Sequence, residues 1–214
     1  MEHDKPTILD ILRSRICLVP PGEQLILSEK SLGEEFNLSR TPIRQCLQTL
    51  AADGMIEVRP GYGSVTPVLK SEDRAVHMEV FRQLNLAGAS LLKDVPLSDE
   101  AVLELGALHM FVDRVEAPTQ DLYVRLNGRL GAATVMAVKD SIMRTAIRAS
   151  HWRIMRWRAY DKKQNLEVSW ASFAKNLSYL MDSPASKHAD ALLIAAADSA
   201  LRYKDPENLR SLGD

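Results

Sequence analysis

The stretch SRTPIRQCLQTLAADGMIEVRPGYGSV, residues 39–65, decides the fold of the first third of this chain. Ser39 and Thr41 are both suitable N-caps for a helix, and Pro42 falls in its first turn, where a proline removes no hydrogen bond. The apolar residues of this helix share one face, which we expect to be buried: Ile43, Cys46, Leu47 and Leu50. The opposite face is polar: Arg40, Arg44, Gln45, Gln48 and Thr49.

Elements on both sides of this helix complete a recognisable order. The runs TILDILRSRICLV (7–19) and SEKSLGEEF (28–36) predict two earlier helices, with an extended or turn segment between them. Only three residues separate the second helix from the third, so the two helices must cross steeply. The short β-prone runs MIEV and SVTPV flank Arg59-Pro60-Gly61-Tyr62-Gly63, which predicts a hairpin. This order predicts a winged helix-turn-helix.

The basic side chains of this segment suit a polyanion. Arg40 and Arg44 lie one turn apart near the unpaired N–H groups of a helix start, a pattern that fits phosphates and guanine edges. The net charge of the chain is −1, and residues 1–70 hold 8 Lys and Arg against 9 Asp and Glu. No acidic residue lies between Phe36 and Ala52. Any contact with nucleic acid is therefore local rather than driven by the whole-chain charge.

Several other classes of protein are disfavoured by the sequence. It contains no GxSxG, GxxxxGK[ST] or HExxH motif, so we expect no enzyme activity. No apolar run is long enough to span a membrane, and acidic residues interrupt the N-terminal stretch where a signal peptide would lie. Cys17 and Cys46 form no CxxC pair and are expected to be free thiols. These features predict a cytoplasmic protein without a membrane partner.

The motifs PGEQL (21–25), SEKSL (28–32) and SRTPIRQCLQTLAADGMIEVRPGYG (39–63) together resemble the DNA-binding domain of GntR-type bacterial transcriptional regulators. The resemblance covers roughly residues 8–66 and implies double-stranded operator DNA as the partner. It implies DNA contacts at the starts of the second and third helices and at the wing: Lys30, Ser39, Arg40, Thr41, Pro42, Arg44, Gly61, Tyr62 and Gly63. The sequence departs from the family pattern at Leu27, outside the reading helix, and at Tyr62, where the family varies.

After a linker at 66–71 the sequence predicts only helices, near 71–93, 98–116, 119–138, 140–160, 165–182 and 184–203. Long helices with short connectors predict an antiparallel bundle. The predicted fold is therefore mostly α, with a winged helix-turn-helix domain at 5–70 and an all-helical effector-binding and dimerisation domain at 71–214.

The stretch NGRLGAATVMAVKDSIM (127–143) resembles part of the ligand-sensing FCD domain of the FadR subgroup. In that subgroup an Asp or Asn and three histidines hold a divalent metal under a carboxylate effector. Asn127 matches the first position, but Leu130 and Gly131 replace the Phe-His pair, and Trp170 stands near the next histidine position. The run ALLIAAADSA lacks the last one. The five histidines are scattered, so we predict no metal and no cofactor: His3, His77, His109, His151 and His188.

A metal-free ligand site follows as a hypothesis. Gly131 is expected to leave open volume in the bundle, with Trp170 as an aromatic wall. Arg125, Arg144 or Arg148 could neutralise an anionic effector, although solvated faces and interhelical ion pairs remain the alternative for each. The pocket set is Arg125, Asn127, Gly131, Arg148 and Trp170. The run HWRIMRWRAY (151–160) is interpreted as packing, or a dimer seam, rather than as a base-stacking surface.

The sequence as a whole favours a ligand-responsive transcriptional repressor that binds operator DNA as a homodimer in the bacterial cytoplasm, associated with the nucleoid. Its effector would be a small organic molecule, with anions among the candidates. The alternative is an architectural DNA-binding protein that senses no metabolite.

Overall fold

The N-terminal elements form the predicted winged helix-turn-helix in a computed structural model that describes residues 6–59, 63–162, 166–182 and 188–201. In chain order they are α1 (Ile8–Cys17), β1 (Ile26–Leu27), α2 (Glu29–Phe36), α3 (Arg40–Ala52), β2 (Glu57–Arg59) and β3 (Gly63–Val65). Asn37 ends α2 in the left-handed conformation, with φ 52°. This conformation, which Asn tolerates well, reverses the chain within three residues and sets α3 across α2.

The three strands form one antiparallel sheet in the order β1-β3-β2. Ile26 pairs with Val65, and Arg59 pairs with Gly63. The sequence predicted the β2–β3 hairpin but left 22–28 as an extended or turn segment, and the structure makes part of it the edge strand β1. Gly63 has φ 91°, and a Cβ there would lie 3.2 Å from the Leu27 carbonyl oxygen, so the pairing requires glycine at this position. The tip of the hairpin, residues 60–62, lies outside the described residues.

In the described part of the chain, six longer helices follow a 3₁₀ turn at Ser71–Asp73, as the periodicity predicted. They are α4 (Arg74–Leu91), α5 (Asp99–Val112), α6 (Gln120–Val135), α7 (Ser141–Lys162), α8 (Leu166–Asp182) and α9 (Ala189–Leu201). The predicted ends of α5 and α6 were too late by three or four residues, because the backbone turns at Asp113 and Met136. None of the described helices is long and apolar enough to cross a membrane.

Most side chains of residues 152–159 in α7 are buried, which agrees with the interpretation of this stretch as packing. Trp152 and Trp157 are buried, and the Trp157 indole N–H donates to Nδ1 of His77 at 3.1 Å. Arg156 is only 2% exposed and donates from Nη1 to the carbonyl oxygen of Pro67 at 2.8 Å. The arginine therefore holds the linker after β3 against α7 instead of facing solvent.

Helix α1 belongs to two packing units at once. Its buried residues Leu12 and Ile16 lie in one continuous hydrophobic cluster with Ile43 and Leu50 of α3 and with Met155 of α7. Since a single core spans the winged helix and the bundle, α1 is a structural bridge between them. Near residue 70 the chain passes from one part to the other, but the hydrophobic core continues without a gap. The division into domains at 5–70 and 71–214 stays a prediction.

A buried carboxylate reinforces this bridge at the end of α3. Asp53 is the C-cap residue of α3 and is 1% exposed. Its Oδ2 accepts from Nη2 of Arg13 on α1 at 2.6 Å, and its Oδ1 lies 2.7 Å from Nε of Arg148 on α7. The Arg13 guanidinium also lies over the Trp152 ring, 4.7 Å from its centroid. We call Arg13, Asp53 and Arg148 the Asp53 clamp. The sequence predicted for Asp53 only the end of a helix.

We expect Asp53→Asn to lower the free energy of unfolding by about 2 kcal/mol. The substitution leaves two guanidinium groups without their shared anion, and removing one partner of a fully buried pair costs about 3–5 kcal/mol, which the partial exposure of Arg13 and Arg148 reduces. Urea unfolding measures the change. Asp113→Asn is the control, since Asp113 also caps a helix but is 52% exposed beside His109. Equal effects of the two substitutions would contradict a structural role for the clamp.

Candidate nucleic-acid interface and bundle cavity

An open groove lies on the winged helix, between the start of α2, the polar face of α3 and the sheet. It encloses about 770 Å³. The N-cap residue Ser28 and helices α2 and α3 supply most of its polar lining: Ser28, Glu29, Lys30, Arg40, Arg44 and Gln48. The sheet supplies Val58, Gly63 and Ser64 on the opposite side. We call this surface the DNA-facing groove, because the sequence predicts DNA contacts among its residues. The steep crossing of α2 and α3 brings together residues that the sequence separates.

Arg44 is the most tightly defined basic side chain in the groove. Its Nε and Nη2 donate to Oε1 and Oε2 of Glu29, each at 3.0 Å. The Arg44 side chain is nevertheless 60% exposed. The guanidinium therefore reaches solvent from a fixed anchor on the neighbouring helix. Hydrogen bonding from Arg44 lowers the pKa of Glu29, and the positive charges of Arg44 and Arg40 lower it further.

The start of α3 presents unpaired backbone donors beside this groove. Ser39 is the N-cap residue, but its side chain makes no capping hydrogen bond, and both Ser39 and Thr41 are exposed. Pro42 is half-buried in the first turn. No acidic residue lies in this turn, so the positive end of the helix dipole is not neutralised locally. A phosphate group fits such a helix start.

The structure brings together some of the predicted DNA contacts. Lys30, Arg40, Arg44 and Gly63 line the groove, and Ser39, Thr41 and Pro42 lie at its end. Gly61 and Tyr62 lie outside the described residues. The residue that sequence reasoning missed is Glu29. Its only signal was an acidic residue directly after a helix cap, which is too common to indicate a role in DNA recognition.

A second cavity, of about 620 Å³, lies within the helical bundle and is lined by α4, α6, α7, α8 and α9. Its wall contains neutral polar residues and three charged ones: Asn85, Asn127, Thr134, His151, Ser172, Asn176, Tyr179 and Ser199, with Arg158, Lys175 and Asp198. Several of these are held by local hydrogen bonds. Asn127 Nδ2 donates to the Tyr123 carbonyl, and Arg158 Nη2 donates to Ser199 Oγ, both at 2.8 Å. The wall therefore offers amide, hydroxyl and guanidinium groups in fixed positions.

Only part of the predicted pocket set lines this cavity. Asn127 and Gly131 are in the wall. Trp170 is instead buried in the core that spans both parts of the chain, edge-on to Phe173. Arg148 belongs to the Asp53 clamp, and Arg125 lies outside the lining. Of the arginines in α7, Arg158 is the one that reaches the cavity, which sequence reasoning missed because it lies in a stretch dominated by packing.

Gly131 does not leave the open volume that the sequence suggested, because the imidazole of His151 occupies that space. A Cβ on Gly131 would lie 2.6 Å from both Cε1 and Nε2 of this ring. The ring also bonds to the backbone carbonyl of Asn127, and burial together with the charge of Arg158 lowers the pKa of His151 to about 3. His151 is therefore neutral at physiological pH and acts as part of the wall.

The residues around Asn127 do not fit a divalent metal. Within the described ranges, no three His, Cys, Asp or Glu side chains lie together as potential ligands. In the described lining of this cavity, His151 supplies one imidazole and Asp198 one carboxylate, and they are not joined by a third His, Cys, Asp or Glu as a zinc site would require. A ligand of this cavity would meet hydrogen-bonding groups together with the charges of Arg158, Lys175 and Asp198.

The fold and the groove define a winged helix-turn-helix. Residues 7–65 match the family model described as bacterial regulatory proteins, gntR family. A 59-residue segment is 46% identical to the HTH-type transcriptional repressor RspR of Escherichia coli (strain K12), covering 27% of this chain and 25% of that protein. The family-model match is thus confined to residues 7–65, the segment that forms the winged helix-turn-helix.

Two further comparisons extend beyond this domain. The HTH-type transcriptional regulator GmuR of Bacillus subtilis (strain 168) is 30% identical over 115 residues, which is 50% of this chain and 48% of that protein. The chain thus spans between a quarter and a half of these two relatives. Both are transcriptional regulators, in agreement with the expectation that the chain is not an enzyme. The solved structure of E. coli McbR/YncC shares the fold, with a TM-score of 0.58 at 17% identity over 97% of this chain and 98% of that one.

Gly131→Ala is expected to lower the free energy of unfolding by about 1–3 kcal/mol, because an added methyl group would overlap the His151 ring. Gly106→Ala is the control, since Gly106 lies in helix α5 and a Cβ there meets no atom within 4 Å. That substitution should stabilise the chain by about 0.5–1 kcal/mol through helix propensity. Thermal or urea unfolding of both variants measures this opposition in sign. A stabilising Gly131→Ala would show that His151 does not pack there.

Proposed function

We propose that this chain is a sequence-specific DNA-binding transcriptional regulator. The observation that carries the proposal is the DNA-facing groove, where the start of α2, the exposed face of α3 and the sheet converge around Arg44. A helix of this kind fits the major groove of B-DNA, and arginine on it suits the O6 and N7 atoms of guanine. The GntR-family match of the same residues supports this reading.

The docking geometry follows from the positions of these elements. Helix α3 would lie in the major groove with Arg40 and Arg44 towards the bases, while Ser39 and the backbone at the helix start contact phosphate. The β2–β3 hairpin, with the predicted contacts Gly61, Tyr62 and Gly63, would follow the adjacent backbone. One such unit reads only a few base pairs. We therefore propose a homodimer that binds two half-sites about one turn of DNA apart.

We propose further that the bundle is an FCD-type sensing domain that works without a metal, and that the regulator is a repressor released by a small organic effector. The cavity of about 620 Å³ has the size of a small-molecule site, and its wall combines neutral polar groups with the cations Arg158 and Lys175 and the carboxylate Asp198. Arg158 would neutralise an anionic group of the effector. RspR, a relative in the DNA-binding domain, is named a repressor.

A short series of contacts links this cavity to α3, the helix that is proposed to read DNA. His151 is in the cavity wall, and its ring meets the next residue, Trp152, edge-on at 5.6 Å between centroids. Trp152 lies under the Arg13 guanidinium, which bonds to Asp53 at the end of α3. An effector that displaces the His151 ring would shift Trp152, and through Arg13 and Asp53 it would change the position of α3. This is the route we propose for the response.

The alternative is an architectural DNA-binding protein, favoured by the lack of fit between the Asn127 region and the metal of related sensors. It predicts binding to many sequences and no response to a metabolite. The two readings agree on the DNA-facing groove and differ only in sequence preference and in the role of the cavity.

Arg44→Ala tests the DNA-binding proposal. Duplexes selected by the wild-type chain from a random pool should lose affinity about tenfold or more, as expected when a bidentate base contact of about 1–3 kcal/mol is lost. Affinity for random duplex should change much less, because Glu29 already offsets the charge of Arg44. The control is Arg129→Ala, which removes an arginine with the same two-bond pairing, to Glu104, on the bundle. Unchanged affinity of Arg44→Ala for both duplexes would contradict the proposal.

Chelator and metal titrations test the metal-free cavity. EDTA, Ni²⁺ and Zn²⁺ should leave the melting temperature unchanged, since only a ligand that binds the folded state stabilises it. Among small organic acids, an effector should raise the melting temperature and weaken operator binding, and DNA must weaken effector binding by the same factor. A stabilisation by Ni²⁺ or Zn²⁺ that EDTA reverses would overturn the metal-free site. No response to any acid, with little preference among duplexes, would favour the architectural reading.

A further inference from the structure

An acidic residue lies at the centre of the surface that is proposed to face DNA. Glu29 is the first residue of α2, directly after the N-cap Ser28, and its side chain is 36% exposed in the groove. A carboxylate in this position repels phosphate and lowers affinity for every DNA sequence alike. Its presence in a nucleic-acid interface therefore needs an explanation other than general attraction.

Stability does not supply that explanation. The Glu29–Arg44 pair is solvent-exposed, and exposed ion pairs contribute little to folding. Glu29 also benefits from the positive end of the α2 dipole, but other acidic or polar residues at that position would serve a helix start equally well. What distinguishes Glu29 is its geometry, since both of its oxygens bond to a side chain on another helix.

The geometry determines which part of the Arg44 guanidinium remains available. Glu29 takes the edge formed by Nε and Nη2. A guanidinium is a planar group with five N–H donors, so the end formed by Nη1 and the second N–H of Nη2 stays free to point outward. Two parallel donors at that end match the O6 and N7 acceptors of one guanine. A fork held in place loses less side-chain entropy when it forms this contact.

We propose that Glu29 is a positioning residue that sets sequence specificity by holding Arg44 for a base contact and by offsetting its charge towards phosphate. The proposal rests on the proposed DNA-binding function of the same groove. Without Glu29, the long Arg44 side chain can reach backbone phosphates on any duplex. Loss of Glu29 should therefore strengthen non-specific binding and weaken discrimination.

The chain offers a matched control on the same helix. Glu34 lies in α2 and is 69% exposed, and its ion pair is a single contact to Lys30 at 4.0 Å. Glu34→Gln removes the same charge as Glu29→Gln at a short distance from it, without releasing Arg44. A further variant, Glu29→Asp, keeps the charge and the helix start but shortens the side chain by one methylene group.

The experiment measures the dissociation constants of the full-length chain for a wild-type-selected duplex and for a random duplex, at two salt concentrations. The dissociation constant for random duplex divided by that for the selected duplex measures the discrimination between sequences. We expect Glu29→Gln to lower this ratio about tenfold, the scale of one lost bidentate contact, with tighter binding to random duplex. Glu34→Gln should tighten binding to both duplexes and leave the ratio within about twofold of the wild-type value. Glu29→Asp should fall between wild type and Glu29→Gln.

A double-mutant cycle shows whether Glu29 acts through Arg44. In the Arg44→Ala background, Glu29→Gln should leave the ratio unchanged, which a merely structural effect of Glu29 would not do. Equal ratios for Glu29→Gln and Glu34→Gln, or an effect that persists in the Arg44→Ala background, would overturn the positioning role and leave the proposed function intact. Failure of the wild-type chain to enrich any sequence would overturn both. Melting temperatures of all variants exclude unfolding as the cause of a change.

Discussion

The position of α3, the helix that is proposed to read DNA, depends on one buried carboxylate. Asp53 ends α3 and contacts arginines from α1 and α7. Because a buried charge is tolerated only when it is paired, α3 cannot move away from either helix without exposing or orphaning Asp53. The hydrophobic cluster around α1 acts in the same direction. The winged helix is thus attached to the bundle by its core and by the end of the helix that is proposed to read DNA.

Two glycines in α6 make this attachment possible. Gly128 and Gly131 lie one turn apart, and a Cβ on either would overlap Trp152 or His151 of α7. Their absence of side chains lets α7 approach α6 closely, so that two consecutive residues of α7 serve different surfaces. His151 forms part of the cavity wall, while Trp152 supports Arg13 of the clamp. A change in the cavity therefore has a short physical route to α3.

Local sequence patterns predicted much of this structure. The apolar stripe of Ile43, Leu47 and Leu50 and the turn after Phe36 were sufficient for α3, and periodicity located all six bundle helices. Contacts between distant segments were not predictable in this way. These contacts depend on how the helices cross, which no local pattern encodes. They are the ion pairs of Glu29 with Arg44 and of Asp53 with Arg148, and the packing of His151 against Gly131. The same limit explains why Trp170, expected in the pocket, is in the core.

Hydrogen exchange of the backbone amides, compared between the free chain and its complex with a selected duplex, tests whether the start of α3 contacts DNA. We expect slower exchange from the start of α2 to β3, strongest in the first turn of α3, and little direct protection on the outer faces of α8 and α9. Protection confined to the bundle, with the first turn of α3 exchanging as in the free chain, would contradict this expectation.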